Sequence, residues 1–231
     1  ADVSTSQPSP QEVMEMWDKM LLSYDQILYI PLSSSLSGSC MTAAALSQEP
    51  KYENKVFVVD NGRVSTPLHR SILDAIDLVE DGYTAPQIKD ILEASREKTV
   101  IYVGLSTLEY LKKGGRISKT VAFAGGVLNI KPVVTIEDGR VALIGKARGS
   151  RQGNNLLVKK IQEAGGVDFT MPILLGYTGL DDRLMQQYIQ DSRELWQDGT
   201  ERLDSVCIGS VIGTYAGPGA VVAAFFRKGG K

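Results

Sequence analysis

Three stretches far apart in the chain carry most of its hydroxyl chemistry: Thr5-Ser6-Gln7-Pro8-Ser9-Pro10, Ser33-Ser34-Ser35-Leu36-Ser37-Gly38-Ser39 and Ile212-Gly213-Thr214-Tyr215-Ala216-Gly217-Pro218-Gly219. Each is dense in Ser or Thr together with Gly or Pro, so each offers hydroxyls and turn amides but no carboxylate or imidazole. Such groups donate hydrogen bonds to an anion and lack the base that bond cleavage needs. They read as pieces of one small polar site suited to holding an anion. The serine loop adds a geometric reason, because it lies between an expected strand and an expected helix. Free backbone N–H groups and the helix dipole favour negative charge there, with Ser37 and Gly38 closest. The alternative, in which Ser37 only caps the helix and the other serines form a solvated turn, fits the same pattern.

Catalytic and cofactor motifs are missing where they would be needed. There is no Gly-x-Ser-x-Gly, and the single histidine, His69, falls in an expected helix remote in sequence from any of these serines. Lys119-Thr120 lacks the preceding glycines of a phosphate-binding loop, and no βαβ unit follows Gly217-Pro218-Gly219. Asp181-Asp182 reads as a dipole-favouring helix start. No metal site and no cofactor are therefore expected. Basic residues gather at Lys112, Lys113, Arg116 and Lys119, and again at Lys146, Arg148 and Arg151. Most read as solvated loop charges; Arg116 and Arg148 are the two singled out for a phosphate or a protein partner.

The elements that position these residues follow from periodicity. Ser9 is placed to cap a helix over Gln11–Leu22, with Val13, Met16, Trp17, Met20 and Leu21 on one buried face. A strand at 26–32, a helix over Cys40–Leu46, a strand at Val56–Val59 and a helix over Leu68–Glu80 repeat a strand-loop-helix unit, the pattern of a parallel sheet. From Thr99 the order changes. A strand at Val100–Val103, a helix at Thr107–Lys112 and strands at Pro132–Ile136 and Val141–Ile144 come first; Asp138-Gly139 between those two strands predicts a β-hairpin. A helix over Asn155–Ala164, a strand at Ile173–Tyr177, a helix over Asp181–Trp196 and a last strand at Ser205–Ile212 complete an α+β set. The expectation is two domains, residues 1–98 and 99–231, with the ligand in the cleft between them.

Composition agrees with an ordinary globular chain. Its 25 basic residues nearly balance 27 acidic ones, which argues against a nucleic-acid partner. Cys40 and Cys207 have neither zinc nor redox spacing, so a reducing, cytoplasmic location is expected, with both thiols packed as small apolar groups. The longest apolar stretches, Val121–Ile130 and Ala220–Phe226, are shorter than the roughly 18 residues of a membrane span. No signal peptide is apparent, and the chain opens inside a turn motif without an initiator Met, as a fragment would.

Five motifs in register, Thr5-Ser6-Gln7-Pro8-Ser9-Pro10, Leu36-Ser37-Gly38, Thr107 to Ile117 with Lys112-Lys113-Gly114-Gly115-Arg116, Asn129-Ile130-Lys131-Pro132 and Ile212-Gly213-Thr214 with Gly217-Pro218-Gly219, resemble the DegV family of bacterial fatty-acid-binding proteins. The resemblance runs along nearly the whole chain. It implies a parallel-sheet α/β/α domain and an α+β domain that together hold one long-chain fatty acid. The tail would lie in an apolar tunnel and the carboxylate in a hydroxyl-lined pocket. It further implies a non-catalytic carrier that presents the acyl chain to a fatty-acid kinase. By motif matching, Thr5 and Ser37 bond the carboxylate with Gly38 beside them, Thr214 and Tyr215 support it, and Arg116 and Arg148 face the kinase or its phosphate. Two departures stand out. Tyr215, neutral near neutral pH, occupies the position of the family's usual His. The family's opening strand and Asp-Ser-Thr type motif have no counterpart, so the first sheet is expected to lack a strand. The competing readings are an enzyme acting on a small acyl or phosphorylated substrate in the same cleft, and an interaction module without an apolar tunnel.

Overall fold

A computed structural model describes residues 3–117, 129–137, 140–196, 199 and 203–228. The chain divides into two compact units: one comprises Ser6–Val64 and Leu68–Glu97, the other Ala1–Thr5, Ser65–Pro67 and Lys98–Lys231.

The smaller unit begins with helix α1 (Pro10–Met20). Ser9 caps it: its hydroxyl accepts from the Glu12 N–H, while the Glu12 carboxylate accepts from the Ser9 N–H at 2.7 Å, a reciprocal capping box. Val13 and Trp17 are buried, but Met16 and Met20, expected on the same face, are exposed. The buried stripe is narrower than the apolar spacing because Trp17 alone fills much of the contact, packing edge-to-face on Tyr29 and Tyr52 at 5.5 and 5.2 Å. Strand β1 (Ile27–Tyr29), helix α2 (Ser39–Leu46), strand β2 (Val56–Val58), helix α3 (Ser65–Glu80) and helix α4 (Ala85–Ala94) follow. β1 and β2 pair in parallel, Ile27 opposite Val56. Helix α4, capped at Thr84 with Gln87, is an addition to the elements expected from the sequence; it seals Ile88 and Leu92 against Val59 and Ala75.

The larger unit is built on a six-stranded mixed sheet. Its strands are β3 (Thr99–Gly104), β4 (Ile130–Glu137), β5 (Arg140–Arg148), β6 (Ile173–Tyr177), β7 (Leu203–Cys207) and β8 (Val221–Phe226), in the order β5-β4-β3-β8-β6-β7. β4 and β5 form the expected hairpin, Glu137 opposite Arg140, while Asp138 and Gly139 lie outside the described residues. Helices α5 (Glu109–Lys113), α6 (Ser150–Glu163), α7 (Arg183–Asp191), α8 (Arg193–Trp196) and α9 (Ser210–Ala216) complete it.

Two expectations fail here. The single helix over Asp181–Trp196 is two, α7 and α8, parted at Ser192, whose hydroxyl takes the Trp196 indole N–H at 2.7 Å. The strand placed at Ser205–Ile212 ends at Cys207, and the true last strand is β8. β8 lies between β3 and β6, antiparallel to both, with five of its six residues buried. Burial on both faces removes the alternation that marks a half-exposed strand. Around it Phe225, Leu157, Ile161, Leu175, Met185, Tyr188 and Trp196 form the principal core.

Candidate functional site

The serine loop is a built turn. Ser33 is buried, its N–H donates to the Arg63 carbonyl at 3.0 Å, and its own carbonyl accepts the N–H groups of Leu36 and Ser37. Ser34 donates its hydroxyl to Asp60 at 2.5 Å. Burial works to raise the Asp60 carboxyl, but the hydroxyl and N–H of Ser34 and the N–H of Gly62 outweigh it and hold the group below its ordinary value. Sequence reading missed this anchor and its neighbour Arg63. The buried Arg63 guanidinium bonds the Ser71 hydroxyl at 2.8 Å and the Ser95 carbonyl at 2.9 Å, fixing the loop after β2 on which the serine loop rests.

At the end of the loop Ser37 is half-buried. Its oxygen accepts the Ser39 N–H at 3.2 Å and lies 2.9 Å from the Ser39 hydroxyl. Gly38 is the residue before α2 and provides no side-chain cap. A Cβ at Gly38 would stand 2.6 Å from Gln7 Oε1, so the Gln7 side-chain amide lies directly on its bare backbone. Gln7 is held there by Thr42, which takes its side-chain N–H at 3.2 Å. Within this unit, two of the three polar stretches do come together.

The third stretch lies on α9 and the loop after it. Tyr215 is half-buried and its phenol oxygen is 2.5 Å from Thr5 Oγ1, a bond that closes 210 residues of chain. Thr214 instead donates its hydroxyl to the Ser210 carbonyl one turn back, at 2.8 Å. Gly217 (φ +70°) and Gly219 (φ +75°) take left-handed conformations that disfavour side chains. Thr178, buried and without a signal in the sequence, clamps this loop: its hydroxyl donates to the Gly217 carbonyl at 2.5 Å and accepts the Ala220 N–H at 2.9 Å. Lys131, part of one motif but not singled out for its charge, is half-buried, with its ammonium 3.4 Å from Ser106 Oγ.

Of the two selected arginines, both exposed, Arg148 ends β5, while Arg116 bends back over Tyr215 with its guanidinium carbon 4.9 Å from the ring centroid. Lys119 lies outside the described residues. Asp181 accepts the Arg183 N–H at 3.2 Å, the helix-start role expected of it. Cys40 is buried, and burial, helped by the negative charge of Asp60, pushes its thiol up to about 11. Cys207 is exposed, contrary to the expectation that both thiols are packed away. Among the described residues there is no group of three or more His, Cys, Asp or Glu that could hold a metal ion, and no helix long and apolar enough to cross a membrane.

A family model described as "Uncharacterised protein, DegV family" matches residues 1–228. A DegV domain-containing protein of Deinococcus radiodurans is 33% identical over 222 residues, which cover 94% of this chain and 76% of the relative. Among solved structures, a DegV family protein from Thermus thermophilus presented for its fatty acid binding superposes with a TM-score of 0.82 at 30% identity, covering 96% of this chain and 79% of that one. A DegV lipid binding protein from Thermotoga maritima gives the same TM-score at 26% identity, covering 99% and 79%. The two-unit architecture of a short parallel sheet and a larger mixed sheet matches these structures. This chain belongs to the DegV family.

Proposed function

We propose that the protein is a non-catalytic carrier of a long-chain fatty acid. The carboxylate is taken by the hydroxyls of Thr5 and of Ser37, the latter beside Gly38. Tyr215 backs Thr5, and Thr214 shapes the helix turn that presents Tyr215. The observation that carries the reading is the Thr5–Tyr215 bond: two motifs rich in hydroxyls and separated by almost the entire chain meet at hydrogen-bonding distance. Its support from outside is the fatty acid binding of the Thermus thermophilus relative.

The energetics favour such a ligand. A hydrogen bond to a charged group contributes about 1.5–3 kcal/mol, more than a neutral one. Each methylene removed from water adds about 0.8 kcal/mol, so a long tail outweighs the cost of ordering it. Cargo presentation to a fatty-acid kinase completes the proposal, with Arg116 and Arg148 as the basic groups that meet the partner or its phosphate. The kinase rests on the family resemblance and on the exposure of those two side chains.

Extraction of the purified protein with organic solvent, followed by mass spectrometry, tests the carrier. Near-stoichiometric fatty acid is expected from the parent and markedly less from the Thr5→Ala/Ser37→Ala variant. Equal lipid in both would remove Thr5 and Ser37 from the site. No lipid in the parent, even after incubation with a fatty-acid mixture, would refute the carrier itself.

A further inference from the structure

Tyr215 is held by more than its bond to Thr5. Gly114, the residue after α5, has φ −74° and ψ −8°, values open to any amino acid. Its lack of a side chain serves another purpose: a Cβ there would lie 2.3 and 2.4 Å from Cδ1 and Cε1 of Tyr215. One edge of the ring therefore rests on bare backbone. Gly115, at φ +68°, then turns the chain, with its N–H on the Lys112 carbonyl and the Arg116 N–H on the Leu111 carbonyl, both at 3.1 Å. That turn returns Arg116 to the same place. Its Nη1 donates to the Gly114 carbonyl at 2.7 Å while the guanidinium covers the Tyr215 ring. The turn itself is anchored by the buried side chains of Leu111 and Ile117, which pack with Ala216 and Ala220.

Contacts at one edge and one face restrict where the ring can carry its phenol oxygen, which lies 2.5 Å from Thr5 Oγ1. The direction of the proton then matters. A threonine hydroxyl has one proton and two lone pairs. If Thr5 donates to Tyr215, the threonine proton is spent and only the phenol proton is left for a ligand. If Tyr215 donates to Thr5, the threonine proton is free for a carboxylate, and the two bonds strengthen one another. A cation over the ring withdraws electron density from it, making the phenol the better donor and the poorer acceptor.

We propose that Gly114 and Arg116 form a cradle that sets Tyr215 as proton donor to Thr5, so that Arg116 promotes carboxylate binding through the Tyr215 ring and not by touching the ligand. Arg116 is on this account a positioning residue, and the inference rests on the carrier reading for its ligand. It goes beyond that reading in assigning Arg116 a role inside the site in addition to any contact with a partner.

A double-mutant cycle on palmitate binding tests it. Arg116→Gln and Tyr215→Phe are each expected to weaken binding by about 3–10-fold, the effect of one neutral hydrogen bond. The double variant should be no weaker than Tyr215→Phe alone, and Arg116→Lys, which keeps the cation, should recover most of the loss. If Arg116→Gln costs as much in the Tyr215→Phe background as in the parent, Arg116 acts on the ligand directly and the proposal is overturned. A second readout needs no ligand: the Arg116 side-chain protons of the parent should show an upfield ring-current shift by NMR that is lost in Tyr215→Leu. Absence of that shift in the parent removes the cradle. Its presence in a protein that binds no palmitate leaves the cradle standing and refutes the carrier reading instead.

Discussion

Ser37 and Thr5 are proposed for the same task, yet the chain supports them in opposite ways. Ser37 is backed by Ser39, two residues on in the same turn. Thr5 is backed by Tyr215, which reaches it only because α9 is held in place by the Gly114 turn and by Thr178 on the neighbouring loop. The first arrangement needs a turn and a helix start; the second needs a folded six-stranded sheet. Both give a hydroxyl a second hydroxyl as neighbour, and where that neighbour is the donor the first keeps its own proton to donate outward. One chemical solution has thus been reached once by local and once by long-range structure.

The sharpest way to break this contrast is through the cores. Trp17→Ala empties the centre of the smaller unit and should cost about 3–5 kcal/mol in urea unfolding. Phe225→Ala should cost a similar amount in the larger one. Since α9 and the Gly217 loop depend on the larger sheet, Phe225→Ala should also reduce fatty-acid retention at temperatures where the protein remains folded. Retention unchanged by Phe225→Ala would show that the Thr5 half of the site tolerates loosening of the sheet.

Next in size are the hydroxyls themselves. Thr5→Ala and Ser37→Ala should each weaken binding by about 1.5–3 kcal/mol, the value of a hydrogen bond to a charged group. Ser39→Ala, which removes only the local backing of Ser37, should cost less than Tyr215→Phe, because the Ser39 N–H remains on Ser37. Isothermal titration of the four variants ranks them, and a larger loss for Ser39→Ala would reverse the contrast.

Acid pH probes the seat of the serine loop. The Asp60 carboxyl is held below its ordinary value, so its contribution is present above the unfolded carboxylate pKa of about 3.9 and is lost as pH falls through the lower folded value. Ser34→Ala removes the main hydrogen bonds responsible. It should cost about 1 kcal/mol near neutral pH, and the stability curves of parent and variant should converge as pH falls through the lowered folded value of the Asp60 carboxyl. A difference independent of pH would mean that Ser34 acts by packing alone.

The smallest perturbation is chemical labelling. Iodoacetamide at about pH 8 should modify the exposed Cys207 and spare Cys40, whose thiol is buried and raised to about 11. Peptide mapping that finds Cys40 labelled in the native protein would show that α2, and with it the Ser37 turn, opens readily.

Much of this is legible in the sequence where the signal is local. The Ser9-x-x-Glu12 pattern announces the start of α1, and Glu137-Asp138-Gly139-Arg140 announces the β4–β5 hairpin, because caps and turns are satisfied by residues a few positions away. Strand β8 escapes such a reading since Val221–Phe226, buried on both faces, has no alternation, and helix α4 since its buried residues Ile88 and Leu92 offer only one turn of periodicity. Met16 and Met20 are expected inside because spacing records which residues share a face, not how wide a face Trp17 leaves to be covered.

The sequence by itself determined the chemical character of the candidate site: hydroxyls and glycines at Thr5, Ser37–Gly38 and Thr214–Gly219, with no local base. It also determined that Ser37 lies where a helix begins. Only the tertiary structure decided that Tyr215 bonds Thr5, that Gly114 is bare to admit the Tyr215 ring, and that Arg116 lies over that ring. Contacts that span most of the chain leave no periodic trace in it. They exist because a strand inserted between two others, β8 between β3 and β6, brings the loop before it to a place that no local preference could specify.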